Sequence, residues 1–434
     1  MSNKIISNQE PKGTRDWLPE EFLIRKYIFD TWRRVCLRYG FEEYMTPLVE
    51  SAEVYRAKSG EDVGGKELVT FTDLGGRELS IRPEMTPSVT RMVSKIYASS
   101  PKPLKYFSIA NFMRNEKPQR GRNREFWQLN CDTFGSSALS ADLEILQLAL
   151  DLMLEFNPPK DSFSLNLNSR RLIEAVLDIA LKDVPAEKLA ETKLEVVRTL
   201  DKFNKLSQED FRARLSEAGL KAEAISDLDK FIGSRSLEDL GEVLPVLKDN
   251  PAYLELEKVI KELTDLSYGD YVKFNPAVIR GFDYYDGLIF EVFDNNPENN
   301  RAMFGGGRYN GLADIFGGAS FPAVGFAPGD ETTRLFLDSW GLIPGLKKFA
   351  PVRYYLPLLD VSLTLEVKRL AKSLRISGLN IVLGLEEQKL GKALEYANKS
   401  GIDKVIIFGG EEKNQSVYKI KDMASGQEEI KSLD

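Results

Sequence analysis

The chain has 434 residues, a net charge of −7 and 42% hydrophobic residues, a soluble globular composition too long for one ordinary core. It contains no histidine, which excludes a Ser–His–Asp triad, a Cys–His pair, a His-ligated metal and an imidazole general base. Its two cysteines, Cys36 and Cys131, are far apart in the sequence and too few for a disulfide framework or a four-cysteine zinc site; with no bilayer-length apolar run and no signal-peptide pattern, a cytoplasmic protein without a membrane partner is expected.

Ile24, Ile28, Trp32, Val35 and Tyr39 recur at helical spacing, and Gly40 stops the pattern, so residues 20–39 read as an amphipathic helix. "FEEYMTPLVE" reads as extended. "ELVTFTD" and "ELSIRPE" read as strands joined by the "LGGR" turn. "TPSVTRMVSKIYA" reads as a helix capped by Thr86 with Pro87 at its first position. "LKYFSIANFMR" and "REFWQLNCDTF" read as two strands of a hairpin, and a helix opened by Ser140 follows. From about residue 170 to 265 aromatics thin out and Glu, Lys, Leu and Ala dominate, with three segments of helical period. Strand-like and Gly-rich text returns up to residue 317. Strand and helix then alternate from "VRYYLPLL" to "KVIIFGG", as in a small parallel α/β domain.

Four stretches could carry chemistry. Within an acidic chain, Arg114, Lys117, Arg120, Arg122 and Arg124 crowd one hairpin connection, and Pro118 and Gly121 shape its tip. An isolated charge run is usually a solvated face. Here four of the five cations are Arg, whose planar fork matches phosphate oxygens. Gln128, Asn130 and Asp132 also share one face of the following strand, an arrangement that wants a ligand or water. "RGFDYYDGLIFE" places Arg280 ahead of the phenols of Tyr284 and Tyr285. "FGGGRYNGL" fails the Gly-x-Gly-x-x-Gly spacing at Asn310, yet its three glycines permit close backbone approach. "RPEMTPS" sets Glu84 just before a helix start, able to serve the helix or to bind an ammonium group.

These strings, in this order, resemble the histidyl-tRNA synthetase family of class II aminoacyl-tRNA synthetases. "RNEKPQRGRNREFWQL" looks like the second class II motif, and "RGFDYYDGLIFE" and "GGGRYNGL" resemble the two peptides particular to the histidine enzymes. "KLGKALEYANKSGIDKVIIFG" looks like the family's anticodon-binding domain. The resemblance implies an α+β fold: an antiparallel-sheet catalytic domain in two parts (1–170 and 266–340), a helical insertion (171–265) and a C-terminal α/β anticodon-binding domain (351–434). It implies a cytoplasmic homodimer that uses L-histidine, ATP and tRNA(His), with Mg2+ accompanying ATP and no metal held by the protein itself.

Roles follow by resemblance. Arg114 would grip the ATP α-phosphate and Arg280 would approach it from the other side, the two catalytic arginines. Glu116 and Phe126 would hold the adenine, and Arg122 the far phosphates. Glu84, Met85 and Thr86 would line the site of the α-amino group, with Gln128 nearby. Asp132 and Tyr285 would bracket the imidazole, with Tyr284 and Tyr309 in the same wall. Gln119 and Arg120 would touch the tRNA acceptor end. The chain departs from the family at Asn115 and Trp127, where relatives often carry histidine, and at Asp132, where many have Glu. Its third motif, "GFAPGDETTRLFL", has Thr332 at the usual Arg position and Arg334 two residues later. A rival reading is a synthetase-like regulatory subunit of ATP phosphoribosyltransferase; such paralogues typically lack the C-terminal domain and lose catalytic positions, whereas Arg114, Gln128 and Arg280 are present here.

Overall fold

Alternation of side chains along residues 104–134 builds the centre of the larger of two units. The computed structural model describes residues 7–57, 59, 62–279, 284–299, 301–317, 320–345 and 350–433. The units divide between Pro344 and Gly345. Strands β5 (Leu104–Met113) and β6 (Glu125–Phe134) pair antiparallel over ten residue pairs, from Leu104 opposite Phe134 to Met113 opposite Glu125. Phe107, Ile109, Leu129 and Cys131 enter one core, with α1 (Pro19–Arg38) and α4 (Leu139–Leu154). Leu104, Ala110, Phe112 and Phe134 enter a second, with Val89 and Val93 of α3 (Thr86–Ile96). The site described below opens on this second face.

The sheet has eight strands in the order β1 (Glu42–Glu43), β5, β6, β11 (Ala323–Phe326), β10 (Ala302–Arg308), β9 (Leu288–Asp294), β7 (Phe163–Ser169) and β8 (Val272–Phe274). Its outermost pairs, β1–β5 and β7–β8, are parallel, and the rest are antiparallel. A separate three-stranded sheet orders β2 (Val49–Ser51), β4 (Glu78–Ile81) and β3 (Val69–Thr72), beside short α2 (Ala52–Arg56). Thr86 is the first residue of α3 and not its cap, since Met85 precedes the helix with no side-chain bond; Pro87, lacking an N–H, is harmless anywhere in that first turn. Ser140 likewise lies inside α4, which Ala138 precedes.

Residues 170–265 carry six α-helices: α5 (Arg170–Ala180), α6 (Ala186–Asp201), α7 (Gln208–Glu217), α8 (Ala222–Gly233), α9 (Leu237–Val243) and α10 (Pro251–Asp265). The three segments of helical period are α5, α6 and α10; α7, α8 and α9 lie between them. Helix α7 buries only Phe211 and Leu215, and Ser207 caps it by accepting from Asp210 N. Helix α11 (Asp330–Ser339) closes the larger unit against α1. Cys36 and Cys131, distant in sequence, meet in the core, where burial and the neighbouring Cys36 thiol push the Cys131 thiol up; both are buried and free. Such thiols are inert.

The smaller unit holds β12 (Arg353–Leu358), α12 (Thr364–Ile376), β13 (Asn380–Glu387), α13 (Leu390–Lys399), β14 (Lys404–Ile407), α14 (Gly410–Asn414), β15 (Val417–Asp422) and β16 (Glu428–Ser432). Strand order is β13-β12-β14-β15-β16. The first three are parallel, as the alternating pattern predicts. The last two add antiparallel, so the sheet is mixed: Asp422 accepts from Ala424 N and Ser425 N in a turn far too short for a crossover.

In β10, a Cβ on Gly306 would lie 2.4 Å from Gly325 O and 2.5 Å from Phe326 Cβ. A backbone oxygen cannot swing aside. Gly306→Ala should therefore destabilise the protein by about 1–3 kcal/mol, read as a lower thermal unfolding midpoint; an unchanged midpoint contradicts this packing.

Candidate active site

Directly opposed strand residues share a face, and one row crosses the middle of the sheet: Asn168, Ile289, Gly307, Gly325, Asp132 and Tyr106. Two of its members lack side chains, and their neighbours fill that space. A Cβ on Gly325 would sit 2.0 Å from Asp132 Oδ1, and one on Gly307 would sit 2.9 Å from the Tyr285 ring. The carboxylate of Asp132 and the ring of Tyr285 thus lean over a glycine floor.

Around that floor the structure brings together residues distant in sequence. The Tyr309 hydroxyl donates to Asp132 Oδ1 at 2.6 Å, and the Tyr284 hydroxyl donates to Glu84 Oε2 at 2.9 Å. The three tyrosines pack edge to face, with ring centroids 5.0 Å apart for Tyr284 and Tyr285, 5.5 Å for Tyr284 and Tyr309, and 6.3 Å for Tyr285 and Tyr309. Thr86, in the first turn of α3, hydrogen-bonds Tyr284. Asp132 Oδ2 and Asn130 Nδ2 are buried and have no partner among the described residues. Burial pushes the Asp132 carboxyl up to about 7, with Tyr309 pulling it down and Glu84 pushing it up. Burial also raises Glu84, against the lowering influence of Ser59, Tyr284 and Arg114.

Arg114 leaves the end of β5 beside this cluster. Its Nε donates to Pro83 O at 3.0 Å, and its guanidinium carbon lies 5.0 Å from the Phe126 ring centroid. Phe126 stacks on Phe112 at 5.7 Å. Gln128 Nε2 donates to Ala327 O at 3.1 Å, tying β6 to the chain after β11. Met85 is fully buried in the core under α3 and accepts from the Thr46 hydroxyl. Glu116 is 3.5 Å from Arg122, and its carbonyl accepts from Arg124 Nε.

The hairpin tip engages other partners. Gln119 and Arg122 exchange backbone hydrogen bonds across a two-residue turn in which Gly121 takes φ +76°. Gln119 Oε1 accepts from Arg301, and Arg120 lies 3.8 Å from Glu298. Arg280 lies outside the described residues. In the third motif, the Thr332 hydroxyl donates to Met303 O, and Arg334 pairs with Glu331 at 3.2 Å. Two features escape sequence reasoning. One is Gly325, inconspicuous in "AVGFAP" until its strand partner is known to be Asp132. The other is the buried Arg25–Asp330 pair at 2.6 Å, whose partners are 305 positions apart (330 − 25).

The Asp132 carboxyl, raised on folding above its ordinary value, takes up a proton as the chain folds. Its contribution to stability is complete below about pH 4 and is lost as pH rises through about 7. Asp132→Asn keeps an oxygen for Tyr309 and has no such loss. The variant should gain on the parent by up to a few kcal/mol between about pH 4 and about pH 8, read from urea unfolding at both ends; a difference flat in pH contradicts the assignment.

Known proteins align with this architecture. A family model described as histidyl-tRNA synthetase matches residues 13–330, and one described as an anticodon binding domain matches residues 354–434. The histidine–tRNA ligase of Leptospira biflexa is 38% identical over 426 residues, covering 98% of this chain and 95% of its own. That of Pyrococcus furiosus is 36% identical over 431 residues, covering 98% and 96%. A crystal structure of histidyl-tRNA synthetase from a Nostoc species shares the fold, with TM-score 0.77 at 22% identity over 99% of this chain and 98% of that one. A family model spanning most of the sequence and end-to-end relatives at more than one-third identity establish that this chain belongs to the histidyl-tRNA synthetase family.

Proposed function

We propose that the protein activates L-histidine with ATP to histidyl-adenylate and transfers the histidyl group to the 3′ end of tRNA(His), releasing AMP and pyrophosphate. The observation that carries this reading is the half-satisfied Asp132 carboxylate. One oxygen is taken by Tyr309 and the other is buried without a partner among the described residues. A buried acceptor left open costs free energy until a donor arrives. An imidazole N–H is such a donor, and Tyr285 offers a phenol to the second ring nitrogen. A side chain without a ring N–H would leave Asp132 Oδ2 unpaired and be rejected.

The remaining roles extend from there. Glu84, near Thr86 and Gln128, takes the α-amino group, with Tyr284 fixing its carboxylate and Met85 supporting the turn from below. Arg114, with Nε committed to Pro83 O, turns its remaining N–H groups to the α-phosphate. Phe126 and Glu116 receive the adenine, and exposed Arg122 the outer phosphates. By the family resemblance Arg280 is the second arginine on the reacting phosphorus. Two fixed guanidinium groups stabilise the charge added there without a proton-transfer base. In the second step an adenylate phosphate oxygen accepts the tRNA hydroxyl proton. Mg2+ enters with ATP, held by its phosphates. Gln119 and Arg120 meet the tRNA acceptor end, while residues 351–434 hold the anticodon. Residues 1–170 and 266–340 form the catalytic domain, and 171–265 its helical insertion. Among the described residues no helix is long and apolar enough to cross a membrane.

ATP–pyrophosphate exchange tests the chemistry. Exchange should require histidine, and Arg114→Ala or Arg280→Ala should each lower its rate by about 100-fold or more with folding intact; near-normal exchange in either variant rejects the opposed-arginine mechanism.

We also infer a homodimer. Leu18 (68% exposed) and Phe22 at the start of α1, and Met45, Leu48, Phe71 and Leu74 around β1–β4, present large apolar side chains to solvent. Apolar side chains gathered in one patch mark an interface, and these six are the ones such a contact would cover. Sedimentation at assay concentration should give twice the 49.0 kDa chain mass; a monomer contradicts it.

A further inference from the structure

We propose that Arg308 and Asp142 are positioning residues that set the geometry of the histidine pocket without touching substrate. The proposal rests on the catalytic reading above. That pocket draws on three stretches of chain: Asp132 on β6, Tyr284 and Tyr285 ahead of β9, and Tyr309 after β10. One guanidinium lies where all three converge.

Arg308 is the last residue of β10, immediately before Tyr309. Its Nε lies 2.8 and 3.0 Å from the two oxygens of Asp142, and its Nη2 lies 2.6 Å from Oδ2. Its Nη1 donates to Ser136 O at 2.9 Å and to Asn310 Oδ1 at 3.4 Å, and its Nη2 reaches Ala138 O at 3.4 Å. Ser136 and Ala138 belong to the connection leaving β6, and Asp142 to the first turn of α4. The link to the third stretch runs through backbone and stem. Asp286 N donates to Arg308 O at 3.0 Å, and the Asp286 carboxylate accepts from Asn310 N and Nδ2. A Cβ on Gly287 would lie 3.0 Å from Arg308 Cβ and 3.1 Å from its Cδ. The chain just beyond Tyr285 therefore rests on the arginine stem.

Both side chains are almost fully buried, 5% and 4% exposed. Buried ion pairs rarely add net stability, and their best use is to fix one arrangement among several. Here the fixed quantity is the spacing between the Tyr309 hydroxyl and Asp132, 2.6 Å, which determines where the open Oδ2 points. A shift of about 1 Å at such a site can cost about 100-fold in rate.

The experiment is ATP–pyrophosphate exchange with full-length protein, read as separate KM values for histidine and ATP. Asp142→Asn, which keeps shape and removes charge, should raise the KM for histidine by about 10-fold or more, with the KM for ATP unchanged. If that variant does not fold, Arg308→Lys supplies the reading, since it retains the charge and loses the fork. Asp142→Glu should recover part of the histidine KM. Parallel rises in both KM values, or a lower unfolding midpoint with both KM values unchanged, would overturn the proposal. A parent protein without histidine-dependent exchange would instead remove the catalytic reading, and this proposal with it.

Discussion

The pocket depends on a missing side chain. Asp132 Oδ1 occupies the space a β-carbon of residue 325 would fill, 2.0 Å from its ideal position. With that vacancy the carboxylate tips over β11 and meets Tyr309; any side chain there would drive it back across the sheet. Gly307 plays the same part under Tyr285. The glycines carry no chemistry. They let the Asp132 carboxylate and the Tyr285 ring lie flat against the sheet.

How much of this was legible in the sequence depends on whether the signal was local. The β5–β6 hairpin was legible because a period of two, strong β-formers and a Pro/Gly connection agree over thirty residues. The alternation also placed Gln128, Asn130 and Asp132 on one face. Helix α7 was not legible, because it buries only Phe211 and Leu215 and stands by packing against its neighbours; α8 and α9 do carry apolar stripes, Leu228, Phe231 and Ile232 in one and Leu237 and Leu240 in the other, but each is too short to stand out. Strand β7 does alternate, Phe163, Leu165 and Leu167 against Ser164, Asn166 and Asn168, and was legible by that period though absent from the expected elements; its polar residues are buried as well and bond Asn275, Asn295 and the carbonyls of Pro276 and Val278. The five-residue turn from 423 to 427 makes β16 run antiparallel to β15, which periodicity does not encode. Pairings such as Asp132 with Tyr309 and Asp142 with Arg308 are long-range facts that only the closed sheet creates.

The altered third motif is understandable from its contacts. Asp330 opens α11, pairs with Arg25 of α1 at 2.6 Å and accepts from Trp127 N at 3.0 Å. Arg25 in turn lies over the Trp17 ring at 3.7 Å. Burial pushes the Asp330 carboxyl up to about 6, with Arg25 pulling it down. One residue thereby joins α1, β6 and α11 directly behind Phe126 and Gln128. Thr332 spends its hydroxyl on β10 and Gly329, and Arg334 turns to Glu331. The motif as it stands here is an anchor. In the proposed reaction the charge of ATP then falls to Arg114, Arg122 and Arg280.

A chain without histidine that is to recognise histidine must do so by complement rather than by likeness. The free imidazole titrates near 6.5, and the Asp132 carboxyl is raised by burial to about 7. In the proposed complex burial thus raises the carboxyl toward the imidazole's range, so that one proton can serve both. Carboxylate with imidazolium, and carboxylic acid with neutral imidazole, carry the same net charge of zero. Either form can therefore be enclosed without burying an uncompensated charge, the arrangement that is expensive in a low-dielectric site. A carboxylate held at its ordinary value by a neighbouring arginine would lose this freedom. The three tyrosines, neutral and already packed on one another, supply walls and hydroxyls without adding a cation. In the proposed reading, burial of Asp132, costly to the empty protein, is the property that suits it to a ring whose own proton is loosely held.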